Sequence, residues 1–310
     1  MKHFFIINPA AGSFDQTAKY TKAITQLCGS RGLSYEIAVS AGPGDCARLA
    51  RNAAQTGEEV RIYACGGDGT LNEVAAGAAG FANAAVTAYC GGSGNDFVKL
   101  FDQPVAFRDL ERLLDCQEAT FDLIRCNGDI ALNICSVGLD ARIGVDVSHY
   151  KRIPLLSGFR AYAVSTVINL FRGIAEHYRV ELDGQTYDDE FTFICVCNGR
   201  FYGGGFNPVP EADPADGKLD VLLVKKVNLL QVPGIIGKYK NGRYRELPHL
   251  VTHFRTDSIT IHCDRPTPVN LDGEARTAQT VTMDLAEEKI RFFYPKGLVW
   301  NKQPLAAATT

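Results

Sequence analysis

Tyr63-Ala-Cys-Gly-Gly-Asp-Gly-Thr-Leu-Asn-Glu-Val74 decides the fold: an apolar run over residues 60–65 enters two glycines, an aspartate and the first turn of a helix. A strand that ends in glycines faces a ligand. Glycines at 66, 67 and 69 can take positive φ and admit a bulky anion against backbone N–H groups, and Thr70 can cap the helix whose positive end helps hold it. A plain strand-to-helix turn would also carry two glycines. Asp68 between them repels a phosphate unless it holds a metal ion or a proton in transit, so the loop reads as a site for nucleotide plus magnesium.

Outward from this stretch the grammar repeats. Residues 2–7 form a short apolar strand that exits into Asn8-Pro-Ala-Ala-Gly-Ser13 before an amphipathic helix near 16–30; residues 33–39 form the next strand, with Ser40 opening its exit loop and a helix over 46–55. A strand over 84–90 runs into Gly91-Gly-Ser-Gly-Asn-Asp-Phe97. Alternating strands and helices mean a parallel sheet, and ligands of such sheets lie beyond the carboxyl ends of the strands. Three glycine-rich exits at one edge agree with one another.

From about residue 120 short strands follow one another across 121–126, 130–137, 178–182, 190–197, 219–225, 258–263, 280–285 and 289–294, joined by turns such as Asn127-Gly-Asp and Asp183-Gly-Gln. The fold class is therefore an α/β nucleotide-binding domain with a Rossmann-like parallel sheet over 1–122, completed by 295–305, and a mostly antiparallel β-sandwich domain over 123–294. The active site belongs in the cleft between them. Helical pieces fall at 159–173 and 229–239.

With 310 residues, 46% of them hydrophobic and 22% charged, the chain can bury a sizeable core, and a net charge of −3 gives no basic footprint for nucleic acid. No apolar run approaches the roughly 20 residues of a spanning helix, and the start reads as a cytoplasmic strand without a secretory cleavage site. Ten scattered cysteines with no Cys-x-x-Cys pair read as buried reduced thiols.

Five blocks in order over almost the whole chain resemble the soluble bacterial diacylglycerol kinase-like lipid kinases, relatives of sphingosine and ceramide kinases and more distantly of NAD kinases. The blocks are Asn8-Pro-Ala-Ala-Gly12, Gly66-Gly-Asp-Gly-Thr-Leu-Asn-Glu73, Gly92-Ser-Gly-Asn-Asp-Phe97, the run 198–221 with Tyr202-Gly-Gly-Gly205 and Asp213-Pro-Ala-Asp-Gly-Lys-Leu-Asp220, and Leu271-Asp-Gly-Glu274. The resemblance implies ATP as phosphoryl donor, Mg2+ as cofactor and a lipid hydroxyl as acceptor, most simply diacylglycerol. It assigns ATP binding to Asn8, Pro9, Ala10, Ala11, Gly12, Ser40, Gly66, Gly67, Asp68, Gly69, Thr70, Leu71, Asn72 and Ser93, which stands where threonine is usual. It assigns catalytic magnesium to Asp68, Asp96 and Asp122, proton acceptance to Glu274, and a supporting role to Asp272, which faces the same side as Glu274 if the segment is extended. A second magnesium site is implied at Asp213, Asp216 and Lys218, with Asp216 as its carboxylate and backbone carbonyls from the other two. Asp122 serves equally as a turn cap, Asp96 as an N-cap, and the Asp272-Gly273 pair as a hairpin turn.

The implied partners are a lipid substrate, transient contact with a membrane surface and no nucleic acid; a homodimer stays open. The implied place is the cytoplasm, peripheral at the inner membrane face. Residues 150–174 carry four basic residues, no acid and apolar residues at helical spacing, the pattern of an interfacial element and equally of a helix covering the sandwich. Two other functions remain at this stage: a kinase for a sphingoid base, another lipid alcohol or NAD, and a non-catalytic nucleotide- or lipid-binding module.

Overall fold

The computed structural model describes residues 1–12, 14–92, 94–143 and 175–300. Two sheets organise them. The first holds β1 (Lys2–Ile7), β2 (Tyr35–Val39), β3 (Val60–Gly66), β4 (Ala84–Cys90), β5 (Cys116–Phe121) and β15 (Ile290–Pro295) in the order β2-β1-β3-β4-β15-β5. β1 to β4 are mutually parallel, β15 continues parallel to β4, and β5 closes the edge antiparallel. The central strands read as continuous apolar runs because helices cover both faces, among them α1 (Thr17–Ser30), α2 (Asp45–Ala54) and α3 (Asp68–Ala78).

The strand near 289–294 corrects the sequence reading, which gave it to the second domain and placed the chain's return at 295–305. Ile290–Pro295 lies inside the first sheet, and Phe292, Phe293 and Tyr294 are all buried because both faces of that sheet are covered. Phe292 packs on Phe97, Phe101, Phe107 and Phe121. A second strand of this sheet, Cys116–Phe121, escaped the sequence reading. Its residues are mostly polar and half exposed, as an edge strand allows.

The second sheet comprises β6 (Ile124–Cys126), β7 (Asp129–Ala131), β8 (Ile134–Gly138), β9 (Glu176–Leu182), β10 (Gln185–Cys197), β11 (Leu219–Lys225), β12 (Val251–Thr256), β13 (Ser258–Leu271) and β14 (Glu274–Leu285). Its pairings are antiparallel. The long strands β10 and β13 each pair with β9 in their first half and with β8 in their second, and each shifts register on the way. These shifts bend the sheet over a core that includes Val137, Tyr178, Ile194, Val269 and Met283, giving a sandwich-like domain. Three turns, Asn127-Gly128, Asp183-Gly184 and Asp272-Gly273, hold both residues at positive φ, the two-residue turn whose twist matches the strands it joins.

Among the described residues no helix is long and apolar enough to cross a membrane. The ten cysteines are unpaired, and all but Cys116 are buried.

Candidate active site

The exits of β1, β3 and β4 meet at one edge of the first sheet. Asn8 closes its own turn through Ala10 N–H to Oδ1 (3.0 Å), while its Nδ2 donates to Thr70 Oγ1 (3.0 Å) across the edge. Gln16 Nε2 donates to the Gly91 carbonyl (2.9 Å), tying the first exit to the fourth strand. None of Gly66, Gly67 and Gly69 takes the positive φ that the sequence reading gave them. Gly66 and Gly92 are required for closeness instead: a Cβ on Gly66 would strike Thr70, and one on Gly92 would lie 2.6 Å from the Gly67 Cα. Thr70 does not cap α3, because the helix starts at Asp68 with Gly67 as its N-cap. Ser40, buried at the end of β2, turns towards Cys46. Pro9, Ala10, Ala11 and Gly12 form the half-exposed rim, and Leu71 packs beneath it.

Asp68, at the first position of α3, aims its carboxylate at the neighbouring loop. Its Oδ1 accepts from the N–H groups of Asp96 (2.5 Å) and Phe97 (3.2 Å). Asp96 in turn binds the Lys99 ammonium through Oδ1 and accepts from Gly204 N–H (2.7 Å) through Oδ2. Burial and the Asp96 charge push the Asp68 carboxyl above the usual range, against those two N–H donors and Lys99.

Asp272 of the Leu271-Asp-Gly-Glu274 block comes to the same place from the other domain. Of the two conformations left open by the sequence, Asp272 takes the hairpin and not the extended one: it is the first turn residue between β13 and β14, with φ +49°. Its carboxylate reaches back to accept from the N–H groups of Leu132 (2.8 Å), Asn133 (2.7 Å) and Ile134 (2.6 Å). The Leu132 N–H is shared with Asn72 Oδ1 of α3 (3.0 Å), so one donor joins both sequence blocks. Burial pushes the Asp272 carboxyl up to about 7 against the pull of its three N–H donors, and the Asp68 charge adds to the rise. Glu274, the first paired residue of β14, is half-exposed and contacts Arg276 (3.0 Å).

Not every predicted ligand joins this cluster. Asp122 turns away from Asp68 and Asp96: its carboxylate accepts from Gly217 N–H (2.8 Å) and pairs with Lys289 (2.6 Å), which anchors the 213–218 loop to the first domain. In that loop Asp216 pairs with Arg255 and accepts from Lys218 N–H (3.1 Å), while the Asp213 carbonyl accepts from Asp216 N–H (3.3 Å). A magnesium ion there would share Asp216 with a guanidinium. Ser93 and residues 150–174 lie outside the described residues.

Among the described residues no three acidic, histidine or cysteine side chains converge on one metal point. The donor chemistry still suits magnesium, which is commonly held by one or two carboxylates with water and substrate phosphates completing its shell. Asp68 and Asp96 are such a pair. The buried amide oxygens of Asn95, Asn133 and Asn198 nearby have no hydrogen-bond partner among the described residues, as acceptors waiting for water or a ligand do.

Sequence reasoning missed Asp140. It lies at the end of β8 in a short helical stretch, accepts from Ser136 Oγ (2.6 Å) and Tyr202 Oη (3.2 Å), and burial raises its carboxyl. Ser136 and Asn270 (3.5 Å), then Asn270 and Gly273 N–H (2.9 Å), continue the contact to the hairpin turn. The Gly138-Leu-Asp-Ala141 sequence carries no local chemical signature that would have found it.

Comparison with known proteins bears on the family and the fold. The diacylglycerol kinase catalytic domain matches residues 2–126, and the YegS C-terminal NAD kinase beta sandwich-like domain matches residues 133–294. A Staphylococcus carnosus protein provisionally named a lipid kinase is 23% identical over 286 residues, 91% of this chain and 92% of its own. One from Staphylococcus aureus, named likewise, is 26% identical over 232 residues, 74% of this chain and 75% of its own. Among solved structures, a diacylglycerol kinase from Bacillus anthracis superposes with a TM-score of 0.69 at 22% identity, covering 96% of this chain and 98% of that one. An NAD kinase from Archaeoglobus fulgidus in complex with ATP superposes with a TM-score of 0.52 at 13% identity, over 96% and 94% of the two chains. At these identities the superpositions speak for the fold.

Proposed function

The chain belongs to the family that joins a diacylglycerol kinase catalytic domain to a YegS-type NAD kinase-like β-sandwich, and from that premise we propose that it transfers the γ-phosphoryl group of ATP to a lipid hydroxyl, foremost that of diacylglycerol, yielding phosphatidic acid. The observation that carries the reading is the Leu132 N–H shared by Asn72 and Asp272, which brings the phosphate-loop helix and the carboxylate turn together.

The exits at 8–12, 66–72 and 91–96 cradle the triphosphate, offering backbone N–H groups and the start of α3 to its charge. Asp68 and Asp96 would hold magnesium, which when bound would offset the charge spreading over the phosphoryl oxygens. Asp272, fixed by three N–H groups, holds the hairpin turn so that Glu274 stands at the acceptor's hydroxyl. Glu274 takes the hydroxyl proton as the lipid oxygen bonds to the γ-phosphorus and the bond to the β-phosphate oxygen breaks, leaving ADP. Asp216, with the carbonyls of Asp213 and Lys218, would take a second magnesium, which would stiffen the loop to which Asp122 is anchored. The lipid is met at a membrane surface, with the protein on the cytoplasmic side.

Incubation with γ-labelled ATP and magnesium against diacylglycerol, sphingosine and NAD tests this. Label in phosphatidic acid is the expected result. Label in the other acceptors alone moves the substrate elsewhere in the family, and ATP binding without transfer to any lipid ends the kinase reading.

A further inference from the structure

Residues 225–245 hold six basic residues and no acid, in a chain whose net charge is −3. At their centre stand a single-turn helix, Leu229–Gln231, and α4 (Val232–Lys240). Val232, Ile235 and Tyr239 turn inwards on the sandwich, as their spacing of three and four residues directs. The opposite face should then be polar. It carries Leu229, Leu230 and Ile236, which are 47%, 90% and 39% exposed, together with Pro233.

We propose that this face is a membrane-docking surface: Leu229, Leu230 and Ile236 enter an anionic phospholipid bilayer, and the surrounding Lys and Arg side chains meet its phosphates. Charge complementarity selects this occupant. Lys225, Lys226, Lys238, Arg243 and Arg245 pair with Asp189, Glu190, Glu246 and Glu211, and Lys240 lies over the Phe206 ring. Six basic groups have only four carboxylates among them, and the exposed pairs Lys225–Asp189, Lys226–Glu190 and Arg243–Glu246 are weak enough for headgroup phosphates to compete. Exposed apolar side chains with bases close by in the chain are what an interfacial element needs.

The surface is also wired to the site. Tyr239 Oη bonds Tyr202 Oη (3.0 Å), the Asn207 N–H donates to the Lys240 carbonyl (2.9 Å), and Gly204, in the turn between Tyr202 and Phe206, donates to Asp96. Docking there sets the cleft against the lipid. What the surface serves rests on the kinase reading; that it binds a bilayer does not.

Flotation of the full chain with phosphatidylcholine vesicles, with and without phosphatidylglycerol, tests it. Binding should favour the anionic vesicles and weaken with salt, and Leu229→Ser with Leu230→Ser should lower the partition coefficient at least about tenfold. The same variant should keep its rate on a short-chain diacylglycerol dispersed without vesicles. Wild type that ignores anionic vesicles, or a variant that binds as wild type does, overturns the proposal. Should the double variant fold poorly, Leu230→Trp reports directly: a blue shift on adding anionic vesicles is expected, and its absence overturns the proposal. Concentration-dependent dimers lost in the variant, with no vesicle binding, would give the face to a second copy of this chain and end the membrane assignment. Vesicle binding through the leucines without phosphorylation of any lipid would uphold the surface and sink the kinase reading alone.

Discussion

Asp68 has two jobs that a pair of substitutions separates. Its Oδ1 accepts from the N–H groups of Asp96 and Phe97, while its charge is the part that the proposed chemistry needs. Asp68→Asn keeps an oxygen for those donors and removes a charge that burial and Asp96 already disfavour. In the nucleotide-free protein its melting temperature should therefore equal or exceed that of wild type. Asp68→Ala frees both donors, each costing about 1 to 2 kcal/mol where water cannot fully replace the lost acceptor. Together that is about 2 to 4 kcal/mol, several degrees of melting temperature for a protein of this size. Both variants should lose about a thousandfold in turnover, equivalent to about 4 kcal/mol of transition-state stabilisation. Labelled-ATP assays against diacylglycerol, run beside thermal melts with and without magnesium, measure all of this. Asp68→Asn at more than a tenth of the wild-type rate would remove the carboxylate from the chemistry, and equal melting of the two variants would refute its hold on the loop.

Glu274→Gln keeps the size and the reach to Arg276 but not the basicity, so turnover should fall about 100- to 10,000-fold with ATP affinity unchanged in a binding titration; a near-normal rate would dismiss Glu274 as the base. Asp216→Ala should destabilise by about 1 to 3 kcal/mol, since Arg255 and Lys218 N–H lose their acceptor, and should blunt the rise in melting temperature on adding magnesium; an identical magnesium response in the variant contradicts the second metal site. His3 gives a pH prediction. Burial first, then Arg61 and the N-terminus, lower its pKa from 6.5 to about 4, so the unfolded chain takes up the proton before the folded one. Stability from this group is full above about pH 6.5 and is lost as the pH falls towards 4, about 3 kcal/mol in all. Urea titrations of wild type and His3→Gln at pH 7, 5 and 4 should show their difference moving by that amount against wild type; a difference that stays constant would mean His3 titrates alike in both states.

How far this could be read from sequence follows from the range of each signal. Lys2–Ile7 and Ala84–Cys90 were legible to the residue because strands buried on both faces are apolar runs bounded by glycine or proline. Cys116–Phe121 was not, since an edge strand needs no such pattern. Ile290–Pro295 was legible as a strand but not as a member of the first sheet. Its partners β4 and β5 lie some 170 to 210 residues earlier in the chain, and only the covering of both its faces tells the two sheets apart.

The site divides along the same line. Glycines that let loops approach are visible in a sequence, but the reason given for Gly66 does not hold: like Gly92 it serves contact distance, and it does not take positive φ. Asp272-Gly273 looked like either a hairpin turn or a catalytic block, and the structure shows the turn. Only a two-residue turn with positive φ rotates the Asp272 carboxylate back onto the amides of 132–134, and that rotation leaves Glu274 as the first residue of the returning strand. Asp140 shows the limit. Its place depends on Ser136 four residues before it and on Tyr202 sixty-two residues after it. A carboxyl held by neutral hydroxyls at such separations leaves no spacing to find. Burial is what marks it, and burial belongs to the folded chain.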